Sequence, residues 1–244
     1  MNNSEMLLFL AKLPDSFQKL SIQKNNFFNY KEMLLQENEC IFVIDFSRNK
    51  LVYAKGFLNT FGYSDEEVDL EMLIHNIHPE DVELVNRIGR ASILFAIEQP
   101  HTPSSNILNL TYRWRKKDGN YAKILSQSVI LRTAENGSMA RSLVKLTDIS
   151  FIDSSNHVFW DFRAKGLNKK EFKKHIYAPF KDLFTKRELD VIKLLKENID
   201  NEEIAQKLHI SKNTVTTHRK NIFRKSNCHN LPELMVYCQR HGFI

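Results

Sequence analysis

Hydrophobic and polar positions change period several times along the chain. Residues 1–37 follow a helical spacing, with Met6–Leu13 and Tyr30–Glu37 as the more regular pieces and Pro14 between them. From Cys40 the pattern changes. Cys40–Phe46 is a short run of apolar, β-branched and aromatic residues, the composition of a buried strand, and Lys50–Ala54 follows after a polar turn as its hairpin partner. Phe57–Arg90 predicts several short helices, and Gln99–Asn106, rich in proline and serine, predicts a loop. In Leu108–Trp114, Leu108, Leu110, Tyr112 and Trp114 alternate with Asn109, Thr111 and Arg113, a period of two with one buried and one wet face. Asp118-Gly119 supplies a hairpin turn, Tyr121–Thr133 the return strand, and Met139–Asp148 a third strand joined through Asn136-Gly137.

Beyond that meander, His157–Arg163 predicts one more short strand. Asn168–Tyr177 predicts a helix, Asn168 and Glu171 making its N-terminal cap signal. Its lysines, Lys169, Lys170, Lys173 and Lys174, suit a solvated face or a nucleic-acid backbone equally well. The last stretch is helical throughout. Thr185-Lys186-Arg187-Glu188 is a capping box ahead of Leu189, Ile192 and Leu195. Asp200–Glu203 starts a second helix with Ile204, Ala205 and Leu208. His209-Ile210 interrupts it, and Ser211 caps a third helix to about Ser226. A fourth begins at Asn230 or Leu231 and ends before Gly242. Two capped helices joined by a few residues form a helix-turn-helix.

Four segments follow: a helical 1–37, an α+β domain over 38–150, a structured linker over 151–182 with a short strand and a basic helix, and a four-helix domain over 183–244. Charge sharpens that division. The formal charge is +6, but residues 1–162 carry a net −3 and residues 163–244 a net +9. A basic terminal domain points to an anionic polymer or surface. Only 7 glycines occur, with no phosphate-cradling glycine motif. The odd set Cys40, Cys228 and Cys238 excludes a disulfide framework and fits reduced thiols in a cytoplasm. Met6–Ala11 is too short to span a membrane and follows Ser4 and Glu5, which argues against a signal peptide and for no membrane partner. No motif places a catalytic set, so an enzyme is not expected.

Projecting the third helix at about 100° per residue separates its faces. Ser211, His218, Ile222 and Ser226 gather near Val215. Thr216, Lys220, Asn213, Arg224, Thr217 and Asn221 fall opposite. The N-terminal part of such a helix contacts base edges. Asn pairs with adenine, Lys with guanine, and a Thr methyl meets the thymine methyl.

Phe184–Ile222 resembles the LuxR-type (NarL-type) DNA-binding domain through Phe184–Glu188, Asn201–Leu208, Ile210–Val215 and His218. The resemblance implies a third helix in the major groove of double-stranded DNA and dimerisation through the fourth. It puts base contacts on Thr216, Thr217 and Lys220 and phosphate contacts on Arg224 and Lys225. With Lys212, Asn213 and Asn221 these residues make the expected DNA-binding set. Two departures stand out: His209 where glycine is commoner, and Ser226 where a leucine usually follows the lysine.

Residues 38–150 resemble the PAS fold, an antiparallel five-stranded sheet with helices on one face. The matching residues are Ile77-His78-Pro79-Glu80-Asp81, the hairpin Tyr112–Tyr121 and Thr147-Asp148-Ile149. Asp45, at the end of its apolar run, invites a phosphoreceiver reading, but no second apolar strand ending in Asp follows around Val85–Glu98. A PAS pocket implies room for a small-molecule ligand of unassigned identity. No cofactor is expected: His75 and His78 would be the haem candidates, and Cys40 lies outside a helical flavin-reactive motif. The sum is a homodimeric, sequence-specific transcription regulator with a sensory or dimerising PAS-like domain. The alternative is a PAS-based signalling adaptor with a non-specific basic tether.

Overall fold

The computed structural model describes residues 1–18, 20–22, 29–98, 100, 107–164, 166–177, 183–226, 228–240 and 243–244. Most of the predicted loop Gln99–Asn106, the end of the linker at 178–182 and Gly242 lie outside these residues. The chain divides into two compact units, Met1–Phe172 and Lys173–Ile244.

The first unit is built on β1 (Glu39–Asp45), β2 (Lys50–Lys55), β3 (Ile107–Arg115), β4 (Tyr121–Thr133), β5 (Met139–Asp148) and β6 (Phe159–Arg163). They form one antiparallel sheet in the order β2-β1-β5-β4-β3-β6. The sheet therefore has six strands, not the expected five. Phe159–Arg163 pairs with Ile107–Thr111. That pairing satisfies the outer edge of β3, whose backbone groups would otherwise lack partners. It also sets Trp160 and Phe162 against Phe172, with ring centroids 5.6 and 4.8 Å apart, and Phe162 against Phe95 at 5.5 Å.

Helices α1 (Asn3–Lys12), α2 (Phe57–Phe61), α3 (Leu70–His75) and α4 (Pro79–Glu98) complete the first unit before α5 (Lys169–Tyr177) begins. The predicted helix near Met6–Leu13 is α1. It starts at Asn3 because Asn2 and Glu5 form a capping box. The predicted helix Tyr30–Glu37 is a correction: only Tyr30–Glu32 forms a single 3-10 turn. Met33 and Leu35 pack with Tyr30 on Ile41, Val43 and Leu143, while Leu34 between them is 96% exposed. That is the period-two burial of extended chain, and the apolar outer face of the sheet selects it over a helix.

The PAS-like motifs are joined in space. Asp81, fully buried, accepts from the backbone N–H of Arg113 at 2.9 Å and from its guanidinium at 2.7 Å. Glu80 takes the same guanidinium at 2.8 Å. Trp114, also fully buried, donates its indole N–H to the Leu73 carbonyl at 3.1 Å. The His-Pro-Glu-Asp segment thus fastens the start of α4 to β3. Asp45 is buried and paired with Arg141 at 2.7 Å, a structural role inside the sheet. Between sheet and helices lies a cavity of about 180 Å³, walled by α1, α3, α4 and the inner faces of the strands.

In the second unit α6 (Lys186–Lys196), α7 (Asn201–Leu208), α8 (Lys212–Ser226) and α9 (Leu231–Arg240) enclose one core containing Val191, Ile192, Leu195, Ile204, Val215 and Leu234. No helix among the described residues is long and apolar enough to cross a membrane.

Candidate nucleic-acid interface

Each helix of the second unit starts at a capping side chain visible in the sequence. Thr185 and Glu188 close the capping box of α6. Asp200 accepts from the N–H groups of Glu202 and Glu203, at 2.8 and 2.9 Å, and opens α7. Those two N–H groups hold the Asp200 carboxyl below its ordinary pKa. His209 ends α7 in the left-handed region at φ 52, a conformation among those histidine tolerates better than most residues. Ser211 accepts from the Thr214 N–H at 3.1 Å and starts α8. Ala205 of α7 and Val215 of α8 are both buried in the one core that these helices share.

This seating fixes the rotation of α8. Val215, Ile222 and Ser226 are buried, and His218 is half-buried. Lys212, Asn213, Thr216, Thr217, Lys220 and Arg224 are exposed, with Asn221 half-buried beside them. Six of the eight expected residues therefore share the outward side of one helix, while Lys212 is exposed at its first turn beside α7. Lys225 sits at its margin, its ammonium 2.6 Å from Glu188, a carboxylate only 4% exposed. Burial opposes the charge on Glu188, but Lys225 and the Thr185 N–H hold its carboxyl below the ordinary value.

The polar groups on this face differ in how free they are. The hydroxyls of Thr216 and Thr217 donate to the Lys212 and Asn213 carbonyls, both at 3.0 Å. Their methyl groups and oxygen lone pairs remain for an incoming surface. Lys212 pairs with Glu202 at 2.9 Å, and that carboxylate raises its pKa. Arg224 donates to Asn221 at 3.3 Å. Lys220 is exposed and, among the described residues, enters no ion pair or hydrogen bond.

Two points escaped the sequence reading. Arg219 donates to Asn201 at 2.7 Å and ties α8 to the start of α7. At about 40° from Val215 it falls on the core side of the wheel, so the projection kept it out of the outward set. Ser226 is buried and donates its hydroxyl to the Ile222 carbonyl at 2.9 Å. The helix backbone thus satisfies the polar group where an apolar one was expected.

On α9, Leu234 and Cys238 are fully buried in the unit's own core, so they add no outer apolar surface. Met235 and Val236 are half-exposed. Burial pushes the Cys238 thiol up to about 12.

Residues 182–238 match the family described as bacterial regulatory proteins of the luxR family, and residues 50–143 match the PAS fold. Among curated relatives, the chain is 39% identical over 61 residues to the uncharacterized transcriptional regulatory protein YxjL of Bacillus subtilis strain 168, covering 25% of this chain and 28% of that one. It is 41% identical over 66 residues to the oxygen regulatory protein NreC of Staphylococcus carnosus strain TM300, covering 27% and 30%. The chain thus spans under a third of the length of these relatives. Among solved structures, the phage VqmA–DPO complex covers 85% of both chains at 14% identity, with a TM-score of 0.32. The chain carries a PAS domain ahead of a luxR-type helix-turn-helix domain.

Proposed function

We propose that the chain is a sequence-specific, homodimeric transcription regulator. In this reading α8 enters the major groove of double-stranded DNA, and the first unit senses a small-molecule signal. The observation that carries the DNA reading is the presentation of Asn213, Thr216, Thr217 and Lys220 on one exposed face of a helix whose opposite face is locked in a core. Lys220 supplies the mobile cation suited to guanine, and the two threonine methyls suit thymine. Arg224 and Lys225 lie further along for phosphates. Met235 and Val236 on α9 supply the half-exposed apolar surface for a second copy.

Selection of bound sequences from random DNA tests the reading. A two-fold symmetric dimer should recover an inverted repeat with half-sites about one helical turn, roughly 10 bp, apart. Light scattering should report two chains per selected site. Recovery of no preferred sequence, with affinity set by salt alone, would leave only an electrostatic tether.

A further inference from the structure

The inner face of the sheet breaks its own hydrophobic pattern. Along β4 the residues facing the helices are Ala122, Ile124, Ser126, Ser128 and Ile130, by their pairing with the buried positions of β3. On β5 the corresponding row runs Ser142, Val144 and Leu146. Three serines therefore stand where a sheet packed on helices calls for apolar side chains. Ser126 is partnered by the Tyr112 phenol, whose pKa burial raises, so that ring stays neutral. The hydroxyls of Ser128 and Ser142 make no hydrogen bond among the described residues, and Ser142 is only 5% exposed. Ser128 lies opposite Val144 and Ser142 opposite Ile130, so the two are diagonal neighbours on adjacent strands. Both line the cavity of about 180 Å³. Facing the cavity with no hydrogen bond to the described residues, the two hydroxyls are available to a molecule lodged there.

The rest of the lining defines what that occupant is. Among the described residues, no lysine, arginine, histidine, aspartate or glutamate borders the cavity. A charged molecule inside it would lose its hydration with no counter-charge to replace it. Met6 and Leu10 of α1 and Ile93 and Ala96 of α4 give an apolar wall across from the serines. A comparable cavity of about 150 Å³ holds one benzene, so this volume suits a ring bearing one or two small substituents and is far below haem or flavin.

We propose that this cavity is the binding site for a small uncharged molecule of substituted-benzene size, its hydrogen-bonding edge on Ser128 and Ser142 and its apolar body toward α1 and α4. The assignment rests on the reading of the first unit as a sensor and gives that sensor its chemical class.

The test uses the full chain and three probes of one shape: benzamide (neutral with a polar edge), benzoate (its anionic counterpart) and toluene (apolar). Calorimetric or ligand-observed NMR titration should give saturable benzamide binding, with benzoate at least tenfold weaker. The Ser128→Ala/Ser142→Ala double variant should lose benzamide affinity about tenfold and keep that of toluene. Benzoate binding as well as benzamide to the native chain overturns the proposal without recourse to any variant. So does failure of both neutral probes to bind at millimolar concentration, or unchanged benzamide affinity in a folded double variant. Site selection on random DNA with the same preparation separates the two ideas. A selective DNA reader that ignores benzamide refutes the ligand class alone, and a chain that binds benzamide but selects no DNA refutes the regulator.

Discussion

Glu188 closes the capping box at the start of α6 and at the same time receives the ammonium of Lys225 at 2.6 Å, from near the end of α8. One buried carboxylate therefore satisfies a helix N-terminus and clamps the far end of α8. Replacing it with alanine should destabilise the second unit by about 1–3 kcal/mol, the range for a charged hydrogen bond whose partner is left behind. Thermal unfolding of the full chain, followed through the helical signal, checks this. A variant melting like the native chain would reduce the pair to ornament.

Acid should dissolve the same clamp. The folded state holds Glu188 below its ordinary pKa. Its charge therefore contributes full stability above the unfolded value, roughly 4.3, and loses it as pH falls through the lower folded value. Melting temperature measured from pH 6 to pH 3 should drop more steeply in the native chain than in Glu188→Gln, which has no proton to gain. Parallel curves would show that other carboxylates carry the acid sensitivity.

Lys220→Ala and Thr217→Ala should each weaken binding to a selected DNA site by about 1–3 kcal/mol while leaving the melting temperature unchanged. Both side chains are exposed, and nothing in the core rests on them. Native-like affinity in both variants would move the reading surface elsewhere.

In the first unit, Asp81→Ala should cost about 3 kcal/mol, the lower end for breaking a buried ion pair, because Glu80 stays on the Arg113 guanidinium. Denaturant titration of the two variants Asp81→Ala and Glu80→Ala should rank the buried carboxylate well above the exposed one. Equal losses would mean that the guanidinium, not the anchoring of α4, sets the stability.

Trp160→Ala tests communication along the chain. Its ring packs on Phe172 of α5, the helix through which the backbone passes into the second unit. A change in affinity for a selected site, measured on preparations that still melt cooperatively, is expected. A tenfold change corresponds to only about 1.4 kcal/mol of differential interaction. A folded variant with native affinity would confine Trp160 to packing.

The legibility of the fold varied with how local its causes are. Helix caps at Thr185, Asp200 and Ser211 act within three residues, and each starts the helix its pattern promised. The alternation Leu108–Trp114 likewise carries its own burial face. What could not be read depends on distant partners. Met33 and Leu35 are extended because an apolar sheet face awaits them. Phe159–Arg163 joins the sheet because β3 leaves an edge. The outward face of α8 was legible from period alone, whereas the Lys225–Glu188 and Arg219–Asn201 pairs required the fold to bring remote segments together. On β4, Ser126 and Ser128 drew no notice, since their meaning depends on which side of the strand lines a cavity.

The N-terminal segment also decides how this protein can be cut. The sheet starts with β1 at Glu39, which invites a fragment that omits everything before it. Such a fragment would strip Tyr30, Met33 and Leu35 from Ile41, Val43 and Leu143, laying bare the outer face of β1 and β5. It would also remove Met6 and Leu10 from the cavity wall. Naked apolar strand surface is a seed for aggregation, so soluble fragments of the first unit must begin ahead of α1.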